Sequence, residues 1–347
     1  MAPQVFKGRT VILHRSVLLI LALALPGVCG CANDKKVMAV ADSAQQELQP
    51  AVIDDAELGP YLQKIGQRII QTATEMDHEG FGPDSHTKSP DSNAWMFSDK
   101  MKFYLVSSKT LNAFTTGGNY MYIYNQLFLS CKSEDELAAV MAHEYAHVYA
   151  RHVKNGMDRQ VGQNVGTGAV AVGTGVASLL FGSGLGSSIS NAQTAGGYAS
   201  TAGKYVGMGF TRGDEDEADK LGLAFYTRAG WDPHHFADFF KAMIAAGYDK
   251  TPELMSDHPK LSVRVEHTEK RVAALPPDAA RWRKPPIADA GQFAALQQRS
   301  AQLMKSMPND QTMQKAQVML ASFPSCVSSM DPPGRKAAQK QVHSKGF

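Results

Sequence analysis

Apolar positions recur along the chain in registers that predict a mainly helical protein. Leu58, Tyr61, Leu62, Ile65 and Ile69 share one face, with Pro60 in the first turn, so an amphipathic helix is expected to about residue 76. Ser133-Glu-Asp-Glu136 reads as a capping box, with Ser133 as N-cap and Glu136 reaching back. At 100° per residue, Leu137, Val140, Met141 and Val148 then fall in one arc, the expected buried stripe. His143 and His147 lie on its flank and Glu144 near its middle, where a carboxylate is costly unless compensated. Another helical pattern follows Thr211 and carries Leu221, Phe225 and Tyr226. Residues 112–124 alternate in a strand-like way around Gly117-Gly118, as a hairpin does. Residues 285–322 predict two more helices, parted near Pro308-Asn-Asp, and prolines 324, 332 and 333 end regular structure. Residues 31–54 read as a linker.

The candidate chemistry sits on the central helix. His143-Glu144-x-x-His147 sets two imidazoles four residues apart on one helical face, close enough to share a metal ion, with a glutamate beside the first. A catalytic zinc needs a third protein ligand. His152 lies nine residues past His143, about 180° round a continuous helix, which excludes it. The extended form HExxHxxGxxH fails too, because Ala150 and Val153 stand at its Gly and final His positions. Downstream, Glu215 and Asp219 are four apart on one face, so one can bind zinc while the other orients a ligating histidine. An acidic cluster at a helix start can also simply complement the helix dipole.

Together these residues resemble the gluzincin zinc metallopeptidases of the HtpX and CaaX prenyl protease type, in layout nearest to its bacterial envelope members. The resemblance rests on His143-Glu-x-x-His147, on Arg212-x-x-Glu215-x-x-Ala218-Asp219-x-x-Gly222, on Asn112-Ala-Phe-Thr-Thr-Gly-Gly118 and on His258-Pro-Lys-Leu-Ser-Val-Arg264. It covers roughly residues 55–275, with one departure at Thr115-Thr116, where many members carry a proline before the glycine pair. The fold it implies is α+β: a mainly α-helical zincin-like domain, a small β-sheet or hairpin beside the zinc helix, and a short C-terminal helical appendage. It implies one zinc ion per chain, held by His143, His147 and Glu215, with Glu144 as general base and Asp219 behind a ligand. His258 is implied as a regulatory fourth ligand or an oxyanion stabiliser, and Arg264 as an oxyanion stabiliser or a loop anchor. The hairpin strand at Asn112, Ala113 and Phe114, turning at Gly117 and Gly118, is expected to bind substrate in extended form. The implied function is an endopeptidase acting on unfolded, misassembled or stalled envelope proteins, with outer-membrane assembly machinery as a candidate partner. The alternative is a latent or chaperone-like protein whose site His258 blocks.

The N-terminus suggests an address. Lys7, Arg9, His14 and Arg15 precede the apolar run 17–25, too short for a membrane span and suited to a signal peptide. Val28-Cys-Gly-Cys31 resembles a bacterial lipobox with Cys31 as the acylated residue, giving an outer-membrane lipoprotein facing the periplasm, or else a soluble periplasmic protein. Residues 1–30 are then the signal peptide, 55–275 the peptidase domain, 276–330 a helical segment and 331–347 a disordered tail. Cys131 and Cys326 remain as a candidate disulfide in an oxidising compartment. A net charge of +2 gives no electrostatic case for nucleic acid. The stretch 161–210 holds 13 of the 30 glycines and no acidic residue or proline, consistent with a lid, a membrane contact or a close-packed excursion. GxxxxGK[ST], GxGxxG and GxSxG are absent from the chain, which argues against a phosphate loop, a dinucleotide fold or a serine hydrolase.

Overall fold

Three strands form the scaffold on which the helices are arranged. The computed structural model describes residues 34–81, 94–166, 205, 210–247 and 260–324. All lie in one compact unit, Cys31–Phe347. Strands β1 (Lys102–Val106), β2 (Ala113–Thr115) and β3 (Tyr120–Tyr124) make a sheet of order β1-β3-β2. β1 runs parallel to β3, and β2 pairs antiparallel with β3 in the register Ala113↔Ile123, Phe114↔Tyr122 and Thr115↔Met121. The predicted hairpin is therefore present, and Gly117 supplies its positive φ of 71°.

The period of two along the strands divides the core between the two faces. Phe103, Leu105, Ala113, Met121 and Ile123 enter a large core with helices α2 (Leu58–His78) and α4 (Glu134–Tyr149). Val106, Phe114, Tyr122 and Tyr124 enter a second core with α1 (Asp34–Leu48) and α10 (Gln311–Ser322). Between these come α3 (Asn125–Ser130), α5 (His152–Gly166), α6 (Arg212–Ala229), α7 (Asp238–Ala245), α8 (Leu261–Ala273) and α9 (Ala290–Ser306). The fold is mostly helical with one small sheet, as the sequence implied.

Helix α4 is the axis of the molecule. Its predicted buried stripe turns out to be the whole circumference, for every residue from Glu136 to Tyr149 is buried. Ser133 caps it by accepting from Glu136 N–H at 3.4 Å. The Glu136 carboxylate bonds the N–H of Lys132 rather than that of Ser133, one residue earlier than the capping-box reading. Just inside the cap, the Glu134 carboxylate accepts from Trp231 Nε1 at 3.0 Å, Tyr61 OH at 3.1 Å, and the N–H groups of Ile287 and Ala288 at 2.7 Å each. One buried side chain thus fastens α2, the end of α6 and the approach to α9 onto α4.

One expectation about domain limits changes. Residues 31–54, read as a linker, contain helix α1, whose Val37, Val40, Ala41, Ala44 and Leu48 are buried at helical spacing. The expected C-terminal helices are present as α9 and α10 and pack onto the cores: Phe293 joins the first, and Met313, Ala316, Met319 and Leu320 the second. Among the described residues no helix is long and apolar enough to cross a membrane. The expected signal peptide, Cys31, most of the glycine-rich stretch, His258, Cys326 and the expected tail lie outside the described residues. Cys131 is a buried free thiol, and burial pushes its pKa far up.

Candidate metal centre

Two buried helices bring the donors together. The glycine at 222 lets α6 cross α4 closely, since a Cβ there would lie 3.0 Å from His143 Cα and 3.1 Å from its backbone nitrogen. Thr211 caps α6 by accepting from Asp214 N–H at 3.1 Å, and Asp214 returns the bond to Thr211 N–H at 2.8 Å. Asp214 therefore serves the helix end, as the dipole reading anticipated, while Glu215 and Asp219 point inward and are buried.

His143 Nε2 and His147 Nε2 face each other at 3.0 Å. Glu215 Oε2 lies 3.5 Å from the first and Oε1 lies 4.0 Å from the second. A ligand atom from each of the three falls within 4.8 Å of the others. Tetrahedral zinc with bonds of about 2.0–2.2 Å keeps its donors about 3.3–3.6 Å apart. The observed separations bracket that value, and two imidazoles with one carboxylate are a donor set zinc favours. The residues present fit the ion. Glu144, between the two histidines in sequence, is fully buried on the same helix.

Each imidazole is held from its far side. His143 Nδ1 is 2.9 Å from Asp219 Oδ1, so the Nδ1–H donates there and Nε2 is left for a metal. Burial and the Arg264 guanidinium push the His143 pKa down, but the bonds to Asp219 and Glu215 outweigh both and lift it to about 9. His147 is driven well below its usual value by burial and by the charge on His143.

Arg264 is placed where its partners are unambiguous. Its Nε and Nη2 donate to Asp219 Oδ2 and Oδ1 at 2.8 and 2.6 Å, its Nη1 lies 3.4 Å from Glu215 Oε2, and its guanidinium stacks 4.1 Å over the Phe240 ring. Burial raises the Asp219 carboxyl, yet Arg264 and His143 hold it below the usual carboxylate range. Arg264 thus ties α8 to the two inward carboxylates of α6.

His152 requires a correction. Helix α4 stops at Tyr149, and Arg151 takes a left-handed φ of 58°, so the continuous-helix geometry used to exclude His152 does not apply. The chain turns back and sets His152 Nδ1 2.9 Å from His147 Nδ1. His152 lies outside the three-donor group. The Phe210 ring packs on His147 with 4.1 Å between ring centres, a contact the sequence did not signal.

The expected substrate strand is an edge strand beside α4, but its residues are buried. Phe114 stacks on Phe323 at 4.4 Å, and the Asn112 side chain donates to the Pro324 carbonyl at 3.1 Å. At the turn, a Cβ on Gly117 would meet Val153 and one on Gly118 would meet Ala41.

An HExxH helix crossed by a helix that supplies a glutamate, with both imidazoles backed by hydrogen bonds, defines a metallopeptidase centre. The chain belongs to peptidase family M48, whose model matches residues 92–272. It is 31% identical over 230 residues to a putative beta-barrel assembly-enhancing protease of Vibrio cholerae, covering 65% of this chain and 41% of that one. It is 28% identical over 233 residues to the beta-barrel assembly-enhancing protease of Escherichia coli, with 65% and 41% covered. With the metalloprotease LoiP of Escherichia coli it shares 23% identity over 242 residues, 70% of this chain and 82% of that protein. The chain thus spans about two fifths of the length of the beta-barrel assembly-enhancing relatives.

Proposed function

We propose that this M48 chain is a zinc endopeptidase that cleaves unfolded, misassembled or stalled proteins of the bacterial envelope. The observation that carries the reading is the convergence of His143, His147 and Glu215 on one point inside the fold. His143, His147 and Glu215 would hold the zinc, which would supply Lewis-acid activation of a water and of the scissile carbonyl. Glu144 accepts the proton from the attacking water and returns it to the leaving amine. Arg264 and Asp219 keep His143 in the tautomer that presents Nε2. Substrate pairs in extended form along β2, through Asn112, Ala113 and Phe114, so main-chain bonds select unfolded segments over particular side chains.

The names of the relatives, which speak of beta-barrel assembly, support a client class among β-barrel proteins. Cys31 as a lipid anchor would hold the enzyme on the periplasmic face of the outer membrane. His258 acts at the zinc, as a regulatory ligand or on the oxyanion. A latent form is favoured by one feature: His143, Glu144, His147 and Glu215 are all at most 1% exposed, and Phe210 covers His147. Cleavage therefore follows an opening step.

The test compares cleavage of casein and of an unfolded outer-membrane protein by wild type, Glu144→Gln and His258→Ala. Wild-type cleavage lost in Glu144→Gln supports the enzyme. Wild type and Glu144→Gln equally inert while both retain the client would sink it. Higher activity in His258→Ala supports latency through that residue.

A further inference from the structure

We propose that His152 is a positioning residue for the metal ligand His147, coupling it to the same helix that supplies Glu215. The inference rests on the reading of His143, His147 and Glu215 as the metal donors. A metal bound at His147 Nε2 requires the proton of that neutral ring to sit on Nδ1. The atom facing that proton is His152 Nδ1, at 2.9 Å. It accepts only if His152 is itself neutral and carries its proton on Nε2. That nitrogen lies 3.3 Å from Glu217 Oε2 and 3.8 Å from Asp214 Oδ1. With zinc on His147 Nε2 the chain of donors follows: His147 Nδ1–H to His152 Nδ1, then His152 Nε2–H to Glu217 Oε2 in the first turns of α6.

His143 reaches the same end by a shorter route, donating straight to Asp219 Oδ1 at 2.9 Å. Helix α6 thus supplies one ligand, Glu215, and an orienting carboxylate for each of the two histidine ligands. The backbone is shaped for the longer route. Arg151, with its φ of 58°, is the one described non-glycine residue in the left-handed region, and it turns the chain so that His152 lies back over His147. His152 is 1% exposed, and the Phe210 ring shields both imidazoles from water that would compete for the bond.

The test measures zinc affinity by chelator competition in wild type, His152→Leu and His152→Asn, beside kcat and KM. Leu keeps bulk but offers no acceptor, whereas the Asn Oδ1 falls where the histidine Nδ1 stood. His152→Leu is expected to bind zinc about 10–100-fold more weakly, with kcat lowered at saturating zinc and KM little changed, and His152→Asn to recover most of both. Unchanged zinc affinity in His152→Leu, or equal loss in the Leu and Asn variants, overturns the proposal and leaves His152 a packing residue. A wild type that binds no zinc overturns instead the reading of the metal donors. Should His152→Leu fail to fold, nitrogen-15 NMR of the zinc-loaded wild type decides: a proton on His152 Nε2 with Nδ1 bare supports the proposal, and a proton on Nδ1 overturns it.

Discussion

Asp219→Asn is the substitution whose effect the structure fixes most closely. The carboxylate is 1% exposed and accepts three bonds, two from Arg264 at 2.6 and 2.8 Å and one from His143 Nδ1 at 2.9 Å. Asparagine keeps the shape but removes the charge and turns one oxygen into a donor that faces donors. Arg264, 4% exposed, then keeps Glu215 Oε2 at 3.4 Å as its nearest anion, so the guanidinium competes with the metal for that ligand. Breaking one side of a buried ion pair costs about 3–5 kcal/mol of stability. Loss of the bond that orients a ligating histidine weakens metal binding about 10–100-fold, or about 1.4–2.7 kcal/mol. Urea unfolding of the metal-free protein reads the first quantity and chelator competition the second. The double variant Asp219→Asn/Arg264→Met isolates the buried charge: it is expected to recover stability relative to Asp219→Asn while zinc stays weak. Asp219→Asn unfolding within about 1 kcal/mol of wild type and binding zinc within about threefold would refute the reasoning, since both fall below the ranges for a broken pair and a lost orienting bond.

Other expectations follow from single contacts. Glu134→Gln leaves at least one of four buried donors facing an NH₂ group, and a loss of about 3 kcal/mol is expected in urea unfolding, with faster hydrogen exchange at Ile287 and Ala288. A Gly222→Ala methyl meets the His143 backbone at 3.0 Å, so about 1–3 kcal/mol of stability should be lost and zinc should bind less tightly; an unchanged melting temperature would contradict the close crossing of α4 and α6. Asp55 is held at about 2 chiefly by its hydrogen bond from Arg299. Because that folded-state pKa lies below the ordinary 3.8, the bond stabilises fully above about pH 4 and fades as the pH falls through about 2. Arg299→Ala should therefore lower the urea midpoint at pH 6 and much less at pH 2, and an equal gap at both would oppose the assignment.

What could be read from the sequence was what a single helix encodes. The HExxH spacing, the pair Glu215 and Asp219, and the helices at 58–78, 290–306 and 311–322 depend on local periodicity, which survives without knowledge of neighbours. The site beyond its ligands depended on features that periodicity does not carry. The position of His152 was not legible because one residue, Arg151, breaks the helix by taking a left-handed conformation that no local signal announces. The binding of Arg264 to Asp219 joins positions 45 residues apart. The parallel pairing of β1 with β3 is likewise non-local. Helix α1 is a different case. Val37, Val40, Ala41, Ala44 and Leu48 stand at helical spacing, so its apolar face was visible in a stretch read as linker. Small residues on that face, two of them alanines, gave it a weak profile.

Every role assigned above depends on one zinc ion held by His143, His147 and Glu215 between α4 and α6. The most direct test is the zinc content of purified wild type beside Glu215→Ala, each equilibrated against the same buffered free zinc and counted by elemental mass spectrometry. One zinc per wild-type chain is expected, with a marked deficit in Glu215→Ala, because two imidazoles alone leave the ion without its third protein donor. A wild type that takes up no zinc, or a Glu215→Ala variant that holds a full equivalent under the same conditions, would contradict it.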